Sequence, residues 1–205
     1  VDVDPETWTL DPELAEAAVT PRTRAILPVH LYGNLCDMDK LGRIAEERGL
    51  VIIEDATESL GGTWKGKPSG TLGNFGCFSF NGNKLITTGG GGMVVARNRE
   101  RMNHIRFLVN QARDASKGYY HPEMGYNYRM TNLEAALGLA QMERIDLFLE
   151  KKRTFARIYR EVLAGLPEVE FQKELPGAQS AWWLPSFTLS GGAVPELQEK
   201  LREKG

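Results

Sequence analysis

Alternating helix and strand patterns run through the first two thirds of the chain. Residues 37–48 (DMDKLGRIAEER) have the apolar spacing of an amphipathic helix, with Asp37 or Asp39 as N-cap and Gly49 as the stop. Its apolar positions are Met38, Leu41, Ile44 and Ala45. Short apolar runs at 24–29 and 50–53 flank this helix and are typical of buried strands. The order strand, helix, buried strand predicts a βαβ crossover in a mainly parallel sheet.

The rest of the chain continues this mixture. Further strands are predicted at 73–80, 93–96 and 181–189. Further helices are predicted at 98–111, from 131 to about 149 with more helix through 163, and from Pro195 onward. Thr131 and Glu134 have the spacing of a capping box. The segment 113–130 is polar and without periodicity, and it is long for a loop, which favours a functional role.

Composition narrows the class of protein. The 205 residues include 41% hydrophobic and 25% charged residues, as in ordinary globular proteins, and the net charge is -2. This balance gives no electrostatic reason to expect nucleic acid or an anionic membrane as partner. No apolar run approaches the ~18 residues of a membrane span. Cys36 and Cys77 are far apart, which favours a reducing, cytoplasmic location.

The sequence lacks the complete motifs of common nucleotide-binding and metal-binding sites. The stretch GGTWKGK (61–67) has the spacing of a phosphate loop, but Pro68 follows where a hydroxyl must bind magnesium. We interpret this stretch as a surface turn. No GxGxxG or HExxH occurs, and the three histidines are scattered, so we expect neither a Rossmann site nor a metal site.

Lys84 is the most informative residue because it follows a strand and precedes a glycine run. A lysine in a pocket at the carboxyl edge of a parallel sheet lies where open α/β folds bind ligands, and desolvation makes such an amine nucleophilic. Asp55 ends the preceding buried strand, and Ser79 ends the strand before Lys84. The alternatives stay open: Lys84 could be a surface lysine, and Asp55 could be a helix N-cap.

Four stretches carry a family resemblance. They are PVHLYG, IIEDATESLGG, GCFSFNGNKLITTGGGG and GYNYRMTNLEAALGLAQMERID. In this order they resemble the DegT-type nucleotide-sugar aminotransferases, which have the aspartate-aminotransferase fold (fold type I) and use pyridoxal 5'-phosphate (PLP). Their amino-acid sequences are most similar to the branch that makes UDP-linked 4-amino-6-deoxy sugars, such as N-acetylbacillosamine and legionaminic acid precursors.

The resemblance implies roles for residues of the sheet edge. Lys84 matches the lysine that joins PLP in a Schiff base and then moves protons between donor and cofactor. Asp55 matches the partner of the pyridine nitrogen. Ala56 matches the small residue beneath the ring, and Ser79 matches a phosphate ligand.

Other positions carry weaker implications. Glu58 falls near the phenolic oxygen of the cofactor, where many members carry Gln instead. Asn127 matches a residue that binds the cofactor phosphate in the active site of a partner subunit. This match implies a homodimer with shared active sites. Arg129 is a candidate for the donor carboxylate or the sugar nucleotide. His30 and Tyr32 are candidates for lining the pocket, and a packing role for either is the open alternative.

Two further features have alternative interpretations. We expect Trp182 and Trp183 to belong to the core and interface of a smaller domain rather than to a platform for the sugar. The glycine run 89–92 is either a plain hairpin link or a place where backbone passes close to the cofactor or a partner.

The resemblance also implies a function and a domain layout. The expected reaction moves an amino group, from L-glutamate, to a nucleotide-linked 4-keto-6-deoxy sugar. The expected fold is α/β, with a mainly parallel central sheet flanked by helices in residues 1–150. Residues 151–205 would be a long helix and the start of a smaller α+β domain. The chain begins without Met, and we interpret it as a fragment.

Two other functions remain possible from the sequence. One is a PLP-dependent sugar dehydratase of the same fold, whose members replace the lysine with His. The other is a non-catalytic sensor or regulatory module that keeps the fold.

Overall fold

The protein is described by a computed structural model over residues 1–191 and 194–205. In chain order its elements are α1 (Pro12–Ala17), β1 (Ala25–Ile26), α2 (Met38–Arg48), β2 (Val51–Asp55), β3 (Thr63–Trp64), β4 (Lys67–Pro68), β5 (Phe75–Ser79), β6 (Gly92–Ala96), α3 (Arg99–Val109), α4 (Asn132–Met142), α5 (Ile145–Leu163), β7 (Val169–Phe171), β8 (Ala178–Gln179), β9 (Phe187–Leu189) and α6 (Val194–Lys204). Short 3-10 turns cover Leu31–Gly33 and Ala115–Lys117.

The main sheet has the order β1-β2-β5-β6. The pairs β1–β2 and β2–β5 are parallel, and β6 runs antiparallel to β5. The predicted mainly parallel sheet with helices is therefore confirmed. Because β2 and β5 are parallel, with Asp55 opposite Cys77, the segments that leave both strands emerge at the same edge. That edge is where ligands bind in open α/β sheets.

Helix α2 forms for the reasons that its sequence indicates. The Asp37 side chain accepts a hydrogen bond from the backbone N–H of Lys40, and Gly49 ends the helix in a left-handed conformation (φ 63°). The apolar face of α2 packs on the sheet in a buried cluster. That cluster contains Ala15, Ile26, Leu35, Cys36, Met38, Leu41, Ile44, Ala45, Ile52 and Trp64. Leu41 is completely buried, which is worth roughly 2 kcal/mol for one such side chain.

The stretch 61–67 forms the hairpin of β3 and β4. Lys65 and Gly66 link the strands, and both have positive φ (49° and 77°), as a two-residue turn of type I′ requires. The predicted surface turn is confirmed, and β8 extends this hairpin into a three-stranded sheet. This pairing brings the chain after α5 back against the first part of the molecule.

The later helices differ in detail from the prediction. The first helix after Thr131, predicted to end near 149, ends at Met142, and α5 then runs to Leu163, with Glu143 and Arg144 between the two helices. The capping box of Thr131 and Glu134 is present at the start of α4. The run predicted as a strand at 181–189 is strand only at Phe187–Leu189, where it pairs with β7. The helix predicted from Pro195 is confirmed as α6.

None of the helices within the described residues is both long and apolar enough to cross a membrane.

Candidate active site

Three chain segments meet at the carboxyl edge of the main sheet. Val29 bridges Asp55 in parallel, and the backbone N–H of His30 donates to the carbonyl of Asp55 at 3.1 Å. The segment 55–58 leaves β2 and the segment 79–84 leaves β5 at this same edge. The sheet therefore places the residues after β1, β2 and β5 side by side.

Lys84 lies in a partly enclosed position rather than on the open surface. Its side chain is 13% exposed, and its Nζ lies 3.8 Å from Oε1 of Glu58. The same Nζ lies 4.0 Å from the centre of the Trp183 ring. An ammonium over an indole face is attracted by the negative charge density of the ring. Glu58 and Trp183 thus flank the amine that the sequence singles out.

Glu58 also fixes the turn that carries Tyr32. Its Oε2 accepts a hydrogen bond of 2.7 Å from the backbone N–H of Tyr32. Tyr32 has a positive φ of 56°, which is uncommon for an aromatic residue and needs such support. The Tyr32 ring lies edge-on to Trp8 at 6.4 Å between centroids. Tyr32 therefore contributes its backbone to Glu58 and its ring to a neighbouring aromatic.

Asp55 is a partly buried carboxylate at the end of β2. It accepts a hydrogen bond of 3.1 Å from the backbone N–H of Thr57. Within the described residues it forms no ion pair. Burial, and next the charge of Asp55, raise the pKa of the Cys77 thiol on the neighbouring strand. Ala56 is fully buried, and its N–H donates to the carbonyl of Cys77 at 2.9 Å.

Ser79 and the glycine run lie on opposite strands of the β5–β6 pair. Ser79 pairs with Gly92, and its Oγ accepts a long hydrogen bond of 3.4 Å from the N–H of Asn81. A Cβ at Gly92 would collide with the carbonyl oxygen of Phe78. Gly92 thus permits a close backbone approach between β6 and β5, and Gly89 to Gly91 form the last part of the connection 80–91 between them.

Helix α4 anchors the loop that follows Lys84. The side chain of Gln141 accepts a hydrogen bond from the N–H of Thr87 (3.0 Å) and donates one to the carbonyl of the same residue (2.6 Å). The Thr87 hydroxyl also donates to the carbonyl of Phe80 at 3.1 Å. These contacts restrain the backbone three residues after Lys84.

His30 occupies the interior instead of the pocket. It is fully buried, and its Nε2 lies 3.0 Å from Oε2 of Glu54. Its Nδ1 accepts a hydrogen bond from the backbone N–H of Cys36 at 3.2 Å. With both ring nitrogens in protein hydrogen bonds, His30 fits the packing alternative, and we remove it from the substrate-binding candidates.

Glu54, the buried partner of His30, is a well-satisfied carboxylate. It accepts hydrogen bonds from the backbone N–H groups of Gly70 (2.8 Å), Leu72 (2.7 Å) and Gly73. Burial by itself would raise the pKa of Glu54, but the hydrogen bonds from His30, Gly73 and Gly70 outweigh it and hold the pKa below its usual value.

Asn127 and Arg129 lie apart from this group on the exposed segment 110–130. Asn127 forms a bridge with Asn110, whose side-chain oxygen accepts a hydrogen bond from Arg129 at 3.3 Å. Both residues line a cavity of about 960 Å³ between β6, α3 and this segment, and its walls include neither Lys84 nor Asp55. Within one chain, the structure therefore does not bring them to Lys84.

Comparison with known proteins decides the family. Residues 1–205 match the DegT/DnrJ/EryC1/StrS aminotransferase family over their whole length. The chain belongs to this family. A GDP-perosamine synthase of Caulobacter vibrioides is 48% identical over 166 residues, which cover 81% of this chain and 45% of the relative.

Two solved structures superimpose closely on this chain. The S. venezuelae protein DesV, solved in complex with a ketimine intermediate, has a TM-score of 0.93 and 33% identity over 100% of this chain and 54% of its own. An E coli GDP-4-keto-6-deoxy-D-mannose-3-dehydratase with bound hydrated PLP has a TM-score of 0.90 and 27% identity, covering 100% of this chain and 57% of its own. The chain thus spans about half the length of these proteins.

Trp183 is the residue of this family member's site that sequence reasoning missed. It is 6% exposed, so the expected core position is correct, but its ring faces Lys84. Its Nε1–H donates to the carbonyl of Asn83 at 2.8 Å, across 100 positions of sequence. No local pattern signals a contact over such a separation.

Proposed function

We propose that the protein containing this chain is a PLP-dependent aminotransferase. It moves an amino group from L-glutamate to the ketone of a nucleotide-linked 4-keto-6-deoxy sugar. The observation that carries the proposal is the enclosed amine of Lys84, which lies between Glu58 and Trp183 at the same sheet edge as Asp55. Family membership and the GDP-perosamine synthase relative support the aminotransferase chemistry and the sugar class.

The residues at the sheet edge fit the cofactor. Asp55 is a partly buried carboxylate without an ion-pair partner among the described residues, and a buried carboxylate is costly unless a cation or hydrogen bonds compensate it. A pyridinium nitrogen would supply that cation. The next residue, Ala56, has no bulky side chain, as the flat face of a ring beside it would require.

In this proposal each residue has one task. PLP, when bound, supplies the electron sink that lets an amino acid lose a proton from its α-carbon. Lys84 holds the cofactor covalently and, once released, accepts and returns a proton through Nζ. The Asp55 carboxylate keeps the pyridine nitrogen protonated. The Ser79 hydroxyl, free to donate while its oxygen accepts from Asn81, binds the phosphate.

Other residues are proposed to bind substrate or to complete the site. Glu58 faces the phenolic edge of the cofactor and orients Lys84, and Tyr32 lines the pocket through the turn that Glu58 supports. Arg129 binds a carboxylate or a phosphate of the substrates. Asn127 reaches the phosphate site of a second subunit in a homodimer, which is consistent with its exposed position in a cavity whose walls do not include Lys84.

The domain layout also remains a proposal. Residues 1–150 would form the large domain, and 151–205 would begin the smaller one. Helix α5 (Ile145–Leu163) crosses position 150 without a break, and β8 pairs with β3. The second part would therefore be attached through a continuous helix and would contribute Trp183 to the site of the first. We place the protein in the cytoplasm, where its free Cys36 and Cys77 would stay reduced.

The dehydratase alternative is favoured by one of the solved neighbours and opposed by Lys84. The E coli dehydratase shares the fold. In the resemblance drawn above, dehydratases carry His where this chain carries Lys84. An aminotransferase therefore accounts for both Lys84 and the fold, whereas a dehydratase accounts only for the fold.

One experiment on the full-length protein tests the proposal. The protein is loaded with PLP and reduced with borohydride, which fixes the cofactor to the lysine that carries it, and the peptide is identified by mass spectrometry. We expect label on Lys84, its loss in Lys84→Ala, and its retention in Lys65→Ala, an exposed control. Label on another lysine would overturn the site assignment.

The substrate is tested separately with 4-keto-6-deoxy sugars linked to GDP or UDP. We expect glutamate-dependent amination that Lys84→Ala reduces by at least about 10³-fold. Loss of a sugar hydroxyl without gain of nitrogen would instead establish the dehydratase.

A further inference from the structure

We infer that Trp183 is the positioning residue of Lys84: its indole forms a fixed wall that holds the reactive amine beside Glu58. The inference rests on the proposed function for its catalytic meaning, but the packing itself is independent of any cofactor. It assigns to the chain after α5 a direct part in the site of the main sheet.

Trp183 contacts the Lys84 segment at two points. The ring face lies 4.0 Å from Nζ of Lys84, and the ring Nε1–H donates to the carbonyl of the preceding residue, Asn83, at 2.8 Å. The hydrogen bond to Asn83 fixes the orientation of the Trp183 indole plane relative to the backbone next to Lys84. The cation then lies over a face that cannot rotate away without breaking that bond.

The backbone of Trp183 is itself held rigidly. Its carbonyl accepts a hydrogen bond from Nζ of Lys152 at 2.9 Å. The N–H of Ala181 donates to the carbonyl of Gly33 at 3.0 Å, and a Cβ on Gly33 would lie 3.0 Å from the Trp183 nitrogen. Gly33 has a φ of 98°, so only a glycine suits this position. The wall is therefore anchored to α5 and to the turn after β1.

A strained residue directs the two tryptophans to different tasks. Trp182 has a positive φ of 50°, which is a genuine outlier for so bulky a side chain. Its ring stacks on Arg160 of α5 at 4.3 Å, whereas the next ring faces Lys84. Strain of this kind persists only where the surroundings over-determine it, and it concentrates at functional sites.

The geometry has a functional consequence for an amine that must alternate between bound and free states. The four-carbon stem of a lysine carries large rotamer entropy, and a free Lys84 would otherwise sample many positions. A wall on one side and a carboxylate on the other confine Nζ to the space between Glu58 and Trp183. Removing the wall should loosen Lys84 without removing any reacting group.

The first test uses trace acetylation of the full-length protein without cofactor, read at each lysine by mass spectrometry. We expect Trp183→Leu to raise acetylation of Lys84 severalfold, and Trp183→Phe, which keeps a ring but loses the bond to Asn83, to raise it less. Trp64→Leu is the matched control, because Trp64 is equally buried and its indole N–H bonds Asp39 instead. Unchanged Lys84 acetylation in folded Trp183→Leu overturns the inference.

A reciprocal test needs no change at Trp183. In Lys84→Ala the indole face loses its cover, so oxidative footprinting should rise severalfold at Trp183 and stay unchanged at Trp64. An unchanged footprint at Trp183 overturns the inference even if every Trp183 variant fails to fold.

Borohydride reduction of the PLP-loaded protein separates the two proposals. If Lys84 is labelled in wild type and more slowly in Trp183→Leu, with recovery in Trp183→Phe, the positioning role extends to the cofactor. If no lysine of wild type is labelled, the proposed function fails, while the acetylation and footprinting results still decide the contact. If Lys84 is labelled equally in all three proteins, Trp183 does not position it.

Discussion

The imidazole Nε2 of His30 lies 3.0 Å from the carboxylate of Glu54, and neither side chain is exposed to solvent. Glu54 belongs to β2, and its carboxylate also accepts backbone hydrogen bonds from the turn that leads into β5, at Gly70, Leu72 and Gly73. The pair therefore ties together three segments beneath the candidate site. Such a carboxylate contributes to the geometry of the site without touching a substrate.

Replacing Glu54 with Gln should destabilise the fold strongly. A glutamine offers one acceptor oxygen where four donors converge, and its NH₂ group would face backbone N–H groups. We expect the free energy of unfolding to fall by roughly 3 kcal/mol, because buried donors lose their acceptor oxygens. Denaturant titration measures this loss. Glu46→Gln, on the exposed side of α2, should change stability by less than about 0.5 kcal/mol.

The same residue predicts an acid sensitivity of the fold. The pKa of Glu54 is below its usual value of 4.5 in the folded protein, so the folded state binds its proton less readily than the unfolded chain. Its stabilisation is therefore complete above about pH 4.5 and is lost as the pH falls through the lower folded pKa.

Between about pH 5.5 and pH 3, the stability of wild type should fall more steeply than that of Glu54→Gln. The exposed carboxylates Asp39 and Glu134, whose pKa values are also lowered, affect both proteins equally and cancel in the comparison. Parallel curves for the two proteins would contradict the prediction.

Two substitutions at Glu58 separate its charge from its hydrogen bond. Glu58→Gln keeps an acceptor for the N–H of Tyr32 and removes the charge that faces Lys84. We expect stability within about 1 kcal/mol of wild type and amination reduced by less than about tenfold, because Gln keeps the hydrogen bond to Tyr32 and loses only a 3.8 Å contact to Lys84. Glu58→Ala leaves the Tyr32 N–H without its partner, and stability should fall by about 1–2 kcal/mol. Equal stability of both variants would refute this division.

The charge of Asp55 can be tested through its neighbour Cys77. Burial and then the Asp55 carboxylate raise the pKa of the Cys77 thiol. Asp55→Asn should therefore lower that pKa and increase the reactive thiolate at about pH 8, so that iodoacetamide labels Cys77 up to about threefold faster. Fully buried Cys36 should stay unlabelled, and the exposed Asp146→Asn control should leave Cys77 unchanged.

The same variant tests the proposed role in catalysis. Without the carboxylate, nothing would keep the cofactor nitrogen protonated, and amination should fall by at least about 10²-fold. If Asp55→Asn stays active while Cys77 reacts faster, the effect of the Asp55 charge on Cys77 is confirmed. The proposed catalytic role of Asp55 is then wrong.

Local signals predicted much of the frame that carries the site. Asp37 and Gly49 bound α2, and Thr131 with Glu134 starts α4, because capping depends on residues adjacent in sequence. The parallel pairing of β1 and β2 followed from the short apolar runs on either side of α2. The position of Lys84 at the sheet edge was predictable because Lys84 closely follows the apolar run that forms β5.

What the sequence concealed depends on contacts over long separations. The position of Trp183 beside Lys84 requires the path of α5 and the return of β8 to β3, neither of which has a local signature. His30 could not be assigned to the core or to the pocket until Glu54 and Cys36 were placed around it. Strand patterns at 181–189 were likewise overridden by the turn at Trp182.

Gln141 should control the mobility of the loop after Lys84. It bonds both the N–H and the carbonyl of Thr87, so Gln141→Leu leaves two backbone groups without their partners. We expect amide hydrogen exchange of residues 85–91 to become at least tenfold faster, while α2 keeps its protection. Gln198→Leu on exposed α6 is the matched control and should exchange like wild type at residues 85–91.

Because the loop carries no reacting group after Lys84, amination by Gln141→Leu should fall only about tenfold, through a less ordered lysine. Unchanged exchange at 85–91 would show that the β5–β6 pairing and the bonds to the Phe80 carbonyl hold the loop without Gln141.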